Sequence, residues 1–441
     1  MHWSSLLSSQ RIGSAKTATG NFRSAFEQDY DRIIFSHPFR RLQDKTQVHP
    51  LPEHDFVHTR LTHSLEVSSV GRSLGKKAGE VVLGRHNDLA EHTPFDFGAI
   101  VAAASLAHDL GNPPFGHSGE DGISDFFIHH PVGQSFQKLV TENEWADLIQ
   151  FEGNAQGFRI LNKNQYKGLH LTYATLGAFT KYPCPARFEG RNRKRKSQKK
   201  YGYFQTEAKI FEDVATQLQL SEATAGVWSR HPLAFLVEAA DDICYNIIDL
   251  EDGCRLGLVS FDDTVELLAG ILKESFDEAK LSLIPGQDEK IGVLRALAIG
   301  KLIDECANVF VENESDILDS KFDQALTDHC MSAVALNEIS KISIEKIYRA
   351  RHVVEIESAG YEVLPGLMEE FSQAGRVHLD GNASKKFQNL MRLLPPEVRA
   401  SIDQCDGSHY LMLRNMIDFI SGMTDRHAIS TYRKIKGIAL S

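Results

Sequence analysis

The chain has 441 residues, 42 % of them apolar, and carries a net charge of −11. That length allows a large core and more than one domain, the composition is globular, and the acidic balance argues against a protein that coats nucleic acid generally. The uncharged apolar run before His108 has about eleven residues, too few to span a bilayer. Residues 1–16 contain no apolar signal-peptide core. The six cysteines (Cys184, Cys244, Cys254, Cys306, Cys330, Cys405) show neither paired metal spacing nor the density of a disulfide framework. A soluble protein of the reducing cytoplasm, with no membrane partner, is the expectation.

Almost every periodic segment reads as helix. Residues 61–83 run without proline and place Leu61, Leu65, Val67, Val70 and Leu74 at helical spacing. Within that stretch Gly71-Arg72-Ser73-Leu74-Gly75-Lys76 imitates a phosphate-binding loop. It is one residue short, lacks the Ser or Thr after the lysine, and falls inside a helix, so it is rejected. Residues 99–108 predict an Ala-rich buried helix. Residues 187–200 hold eight Lys or Arg and one Glu, which fits either a solvated mobile loop or a site for polyphosphate or single-stranded nucleic acid. Residues 233–256 predict a third helix, with Pro232 at its start. Pro285-Gly286 marks a loop. Helical spacing returns over 293–351, residues 353–364 read as a short β-ribbon, and 410–420 as an amphipathic helix. The fold class is therefore all-α. The expected division is a helical core with the N-terminal segment and the basic loop in 1–264, and a C-terminal helical region packed on it in 265–441.

The chemistry concentrates at His108-Asp109, where the apolar helix ends and the turn 110–117 begins. An imidazole and a carboxylate beside a buried helix are costly unless something pairs with them, and a divalent metal would do so. Adjacent helical residues point about 100° apart, so both can reach one ion only at a helix end. His63 and either Asp241 or Asp242 would complete a nitrogen and oxygen set. Such a set suits Mn, Mg, Fe, Co or Ni better than structural zinc. His117 and Glu120 follow closely, Glu152, Asn154 and Gln156 form another polar cluster, and Asp241, Tyr245 and Asp249 stripe one helix face.

Six ordered motifs carry a resemblance: 41–48 (Arg-Leu-Gln-Asp-Lys-Thr-Gln-Val), 60–64 (Arg-Leu-Thr-His-Ser), 107–111 (Ala-His-Asp-Leu-Gly), 114–120 (Pro-Phe-Gly-His-Ser-Gly-Glu), 152–157 (Glu-Gly-Asn-Ala-Gln-Gly) and 240–246 (Ala-Asp-Asp-Ile-Cys-Tyr-Asn). Together with Gly422-Met423-Thr424-Asp425 they resemble the HD-superfamily deoxynucleoside triphosphate triphosphohydrolases, in particular the bacterial dGTPase-like group. The resemblance implies an HD-domain helical core. It also implies metal-dependent hydrolysis of dGTP and other dNTPs to deoxynucleoside and inorganic tripolyphosphate. His63, His108, Asp109 and Asp241 would then hold the metal, the acid-Tyr-Asp pattern selecting Asp241 over Asp242. His117 would be the general acid, with Glu120 orienting it.

By the same comparison Gln47 and Asp249 would bond the sugar 3′ hydroxyl, and Val48 and Tyr245 would pack beneath the sugar and reject ribonucleotides. Arg60 would lead the phosphate contacts, with Lys181, Tyr182, Lys200 and Tyr203, while Asn154 would position water or phosphate. Asn112 stands where some relatives carry histidine, so no proton-transfer role follows for it. Relatives imply a homo-oligomer, a hexamer among the options, and single-stranded DNA as an effector. Two alternatives stay open: an HD phosphohydrolase for another nucleotide class, and a nucleotide- or DNA-binding regulator without catalysis.

Overall fold

Helix α1 (Arg60–Arg85) starts where Thr59 and Thr62 cap each other reciprocally, which places Arg60 and His63 in its first turn. Helix α2 (Pro94–Ala107) opens on a proline, with the Asp96 carboxylate accepting from the Thr93 N–H at 2.8 Å. From Phe97 to Ala107 α2 is buried almost without interruption, as the all-apolar run demands. The two helices cross through Gly71, Gly75 and Gly79. A Cβ on Gly75 would stand 2.7 Å from the Phe97 carbonyl oxygen, and one on Gly79 would stand 2.7 Å from the Phe97 ring. The glycines that imitate a phosphate loop thus serve close helix packing. The computed structural model describes residues 1–13, 23–48, 58–163 and 168–438.

Helices α3 (Gly116–His129), α4 (Gly153–Asn162) and α5 (Pro232–Arg255) complete the surroundings of the site. Beyond them lie α6 (Gln287–Glu312), α7 (Arg351–Leu379), α8 (His409–Ser421) and α9 (Asp425–Ile435). Buried apolar residues form two clusters. One gathers α1, α2 and α5 with Leu268, Leu302, Phe310 and Ile347. The other joins Phe115, Ile123, Phe126 and Phe204 to Leu364, Phe371, Met416 and Ile420. Both clusters draw on chain before and after residue 264, so the expected division at that point separates stretches of sequence and not hydrophobic cores. No helix among the described residues is long and apolar enough to cross a membrane.

Two expectations are corrected. Residues 353–364 are not a β-ribbon but the first half of α7. The run Val353, Val354, Ile356 has strand-like composition, yet Gly360, Val363, Leu364, Leu367 and Phe371 carry on at helical spacing and are buried. The only strands among the described residues, Glu222–Thr224 and Val227–Trp228, form a small antiparallel hairpin that periodicity did not reveal. The basic run is also not a free loop along its whole length. Arg195 Nε donates to Asp323 at 2.7 Å, and Ser197 N–H donates to the same carboxylate at 3.0 Å. Arg191 donates to the carbonyls of Gln198 and Ala186 at 3.0 and 2.9 Å.

Candidate active site

His108 closes α2, and its Nδ1 lies 2.7 Å from the Ser105 carbonyl oxygen. A carbonyl can only accept, so Nδ1 carries a proton and Nε2 is the atom that faces the cluster. His63, buried in the first turn of α1, faces it with ring centroids 5.3 Å apart. Asp241 on α5 brings Oδ1 to 3.3 Å from His63 Nε2 and 3.5 Å from His108 Nε2. Asp109 Oδ1 lies 3.5 Å from His108 Nε2. Asp242, the alternative ligand, turns instead toward the Thr327 hydroxyl, which donates to it at 2.8 Å.

Donor atoms of His63, His108 and Asp109 all lie within 4.8 Å of one another. An octahedral ion with bonds of about 2.1 Å sets its donors roughly 3 to 4.2 Å apart, and the 3.3 to 3.5 Å separations between the aspartate oxygens and the imidazole Nε2 atoms fall in that range. Charge agrees. Burial pushes the Asp109 carboxyl up, but the Arg60 guanidinium, then His108 and His63, outweigh it and hold it at about 2. Burial likewise opposes ionisation of Asp241, yet His108 and His63 keep it well below the usual carboxylate range. Asp109 is also fixed from both sides, by Arg60 at 2.7 Å and by Asn112 Nδ2 at 2.6 Å. That orienting role of Asn112 was not foreseen.

The turn after Asp109 is tight. A Cβ on Gly111 would collide with the Gly153 carbonyl, which brings α4 against the turn. Phe115 and Gly116 both take left-handed conformations, at φ 66° and 60°, and for a phenylalanine that costs roughly 1–2 kcal/mol. The double bend turns the chain into α3 and exposes His117 to the cavity. Loss of bulk water lowers the pKa of His117, and Lys200 and Arg60 lower it further.

Glu120 is buried one turn on. It accepts from the Gly153 N–H at 2.7 Å and stands 3.7 Å from Lys200 Nζ. A hydrogen bond to His117 is not among its contacts in the described residues, so its expected role as orienter has no direct contact behind it. Glu152 flanks the same ammonium at 3.3 Å. Burial raises the pKa of both carboxyls, and their mutual repulsion raises that of Glu152 further.

The metal-fitting cluster, His117 and Lys200 open on one cavity of about 540 Å³, a size common among small-molecule sites. Its wall includes the metal-fitting cluster, His117, and Gln47, Val48, Arg60, Asn154, Lys181, Tyr182, Lys200 and Tyr245. The Gln47 Oε1 is buried and finds no hydrogen-bond donor among the described residues. Lys181 reaches Glu238 at 3.3 Å. Tyr245 stacks on Tyr348 at 5.3 Å.

Two expected contacts lie elsewhere. Asp249 sits behind the wall and accepts from the Tyr348 hydroxyl at 2.8 Å. Tyr203 is buried and stacks on Phe211 at 4.8 Å. Sequence reasoning missed Lys199, Glu238, Tyr348, Val353, Ile356 and Glu357 on the same wall. Only Lys199 carried a signal, as part of the basic run.

Comparison with known proteins agrees with this geometry. Residues 60–150 match the HD domain, and residues 325–434 match the phosphohydrolase-associated domain. The chain is 42 % identical to a deoxyguanosinetriphosphate triphosphohydrolase-like protein of Synechocystis sp., covering all of both chains. It is 38 % identical to a protein of that description from Pseudomonas aeruginosa, over 99 % of each. It is also 32 % identical to the deoxyguanosinetriphosphate triphosphohydrolase of Salmonella typhimurium, over 94 % of each. Similarity over the full length of such relatives, with matches to both domains, places the chain in the HD-domain phosphohydrolase family of the deoxyguanosinetriphosphate triphosphohydrolases.

Proposed function

We propose that the protein hydrolyses deoxynucleoside triphosphates to deoxynucleoside and inorganic tripolyphosphate, with dGTP among its substrates. One observation carries the reading: the His63, His108, Asp109, Asp241 cluster, His117 and the cations Arg60, Lys199 and Lys200 all open on a single cavity. Those four ligands would hold a divalent ion such as Mn or Mg, which supplies Lewis acidity and charge neutralisation at a phosphoryl oxygen.

Water adds to the α-phosphorus and the bond to the 5′ oxygen breaks. His117 gives its proton to that oxygen, and one proton of the water is released. His117 is poised for this. Bound polyphosphate would offset the charges of Lys200 and Arg60 that depress its pKa, so the imidazole gains its proton as substrate arrives. The Gln47 Oε1, which has no donor among the described residues, suits a sugar hydroxyl. Val48 and the Tyr245–Tyr348 stack give an apolar floor against an extra 2′ hydroxyl. Arg193 and Lys194, exposed on the basic loop, are where single-stranded DNA would bind as an effector. Assembly into a homo-oligomer, a hexamer among the options, belongs to the same proposal.

The test is incubation with Mn²⁺ and each dNTP, with ion-exchange separation of products. Tripolyphosphate in equal amount to deoxynucleoside is expected. Orthophosphate or pyrophosphate without tripolyphosphate would overturn the reading, and turnover of monophosphates or cyclic nucleotides alone would replace it.

A further inference from the structure

We propose that Asp425 is a positioning residue that locks two segments lining the cavity, 46–48 and 115–117, to each other from the C-terminal part of the chain. It stands in the first turn of α9, capped by Thr424, and is 1 % exposed. An acid in a helix's first turn ordinarily serves its own free N–H groups. Both Asp425 oxygens turn elsewhere. Oδ1 accepts from the Phe115 N–H at 3.1 Å. Oδ2 accepts from the Thr46 N–H at 3.0 Å and from the Thr46 hydroxyl.

Each partner adjoins a part of the proposed machinery. Phe115 is the left-handed residue two places before His117. A side-chain-bearing residue holds that conformation only when its surroundings fix it. Asp425 fixes its amide. Gly360 of α7 fixes its ring, for a Cβ there would stand 3.0 Å from the Phe115 Cβ. Thr46 immediately precedes Gln47 and Val48 and is bridged to Thr59, just before α1.

The buried Lys45 reinforces the same junction. Its ammonium donates to the Asn112 carbonyl at 2.5 Å and to the Ser421 carbonyl at 2.8 Å. Segments 45–48, 112–117 and 421–425 thus meet at one knot, and among the described residues Asp425 is the carboxylate bonded to both of the first two. Three donors on two oxygens require a carboxylate. An asparagine would turn its NH₂ toward one of the N–H donors and break the bridge that holds the two segments to each other.

The experiment is hydrogen–deuterium exchange on full-length Asp425→Asn, with Asp403→Asn, in an exposed pair with His378, as control. Peptides covering 45–48 and 112–118 are expected to exchange about tenfold faster or more in Asp425→Asn, with other regions and the control unchanged. Exchange unchanged in either segment, or raised uniformly across the chain, overturns the proposal. If Asp425→Asn does not fold, Thr46→Val removes the hydroxyl bond alone; both segments should loosen, and loosening of 45–48 alone counts against coupling.

The kinetic arm rests on the nucleotide-hydrolase reading. There Asp425→Asn should lower kcat about 100-fold, the scale of a misplaced catalytic group. In a His117→Ala background it should add about threefold or less. A full 100-fold loss in that background would show that Asp425 does not act through His117. If the wild type turns over no dNTP, the hydrolase reading fails while the exchange result still decides the role of Asp425.

Discussion

The two ends of the cavity are built on different plans. At the metal-fitting end every donor sits on or beside a core helix, and two are oriented by neighbours in sequence: Ser105 holds His108, and Asn112, together with Arg60, holds Asp109. At the other end His117 of α3 and Lys200 of the basic loop line the cavity, and Lys200 is flanked by Glu120 of α3 and by Glu152, which caps α4. There the charges are held mainly by burial against one another. The first end is set by local geometry. The second depends on where distant segments are pinned, by Asp323 under the basic loop and Asp425 under the turn.

That contrast predicts which changes act through which end. His108→Ala removes a donor that nothing nearby replaces, so turnover should fall by about 10³-fold or more. Stoichiometric Mn²⁺ binding, read by calorimetry, should vanish while the circular dichroism stays wild-type. Asn112→Ala leaves the donors and loses only an orienting bond, so metal affinity should drop about 10- to 100-fold. Equal losses in the two variants would erase the distinction between donor and support. His117→Ala tests the other end: kcat should fall about 10³-fold, with Mn²⁺ affinity unchanged and nucleotide affinity within about tenfold. Loss of metal binding there would merge the two ends into one.

The same contrast explains what the sequence disclosed. His63, His108, Asp109 and the all-α character were legible, because helical period and the polar end of an apolar helix are local signals. Asp241 and Asp242 could not be separated by spacing. The imidazoles and Thr327 that sort them come from other elements. Asp249 shares a helical stripe with Asp241, but Tyr348, about a hundred positions later, closes it off. The β-branched start of α7 misled, since packing against the turn overrode local propensity. The basic run was ambiguous because its counter-charge, Asp323, is remote in sequence.

Pinning of the basic loop gives a smaller effect. Asp323→Ala leaves Arg195 and the Ser197 N–H and hydroxyl without their acceptor. The loop that carries Lys199 and Lys200 should loosen, and KM for a dNTP should rise about tenfold, with kcat within threefold by the same argument. A fall in kcat with KM fixed would assign the loop to the chemical step and not to holding polyphosphate.

The smallest effect is thermal, and it compares two carboxyls on one helix. Asp241 is held well below the ordinary range by two imidazoles. Asp249, two turns on, is pushed up to about 8, first by burial and then by Asp252, against the Tyr348 hydrogen bond. An aspartate in the unfolded chain titrates near 3.9, so between about pH 4 and 8 the folded protein holds the extra proton. Its stabilising contribution is full below about pH 4 and is lost as the pH rises through 8. Asp249→Asn is neutral in both states and lacks this dependence. Relative to the wild type, its Tm should therefore rise by about 2 °C or more between pH 5 and 8, whatever the offset at pH 5. Scanning calorimetry across that range decides the matter. A difference flat with pH would mean that Asp249 is ionised in the folded chain, and the two carboxyls would then owe their behaviour to something other than which of them the imidazoles face.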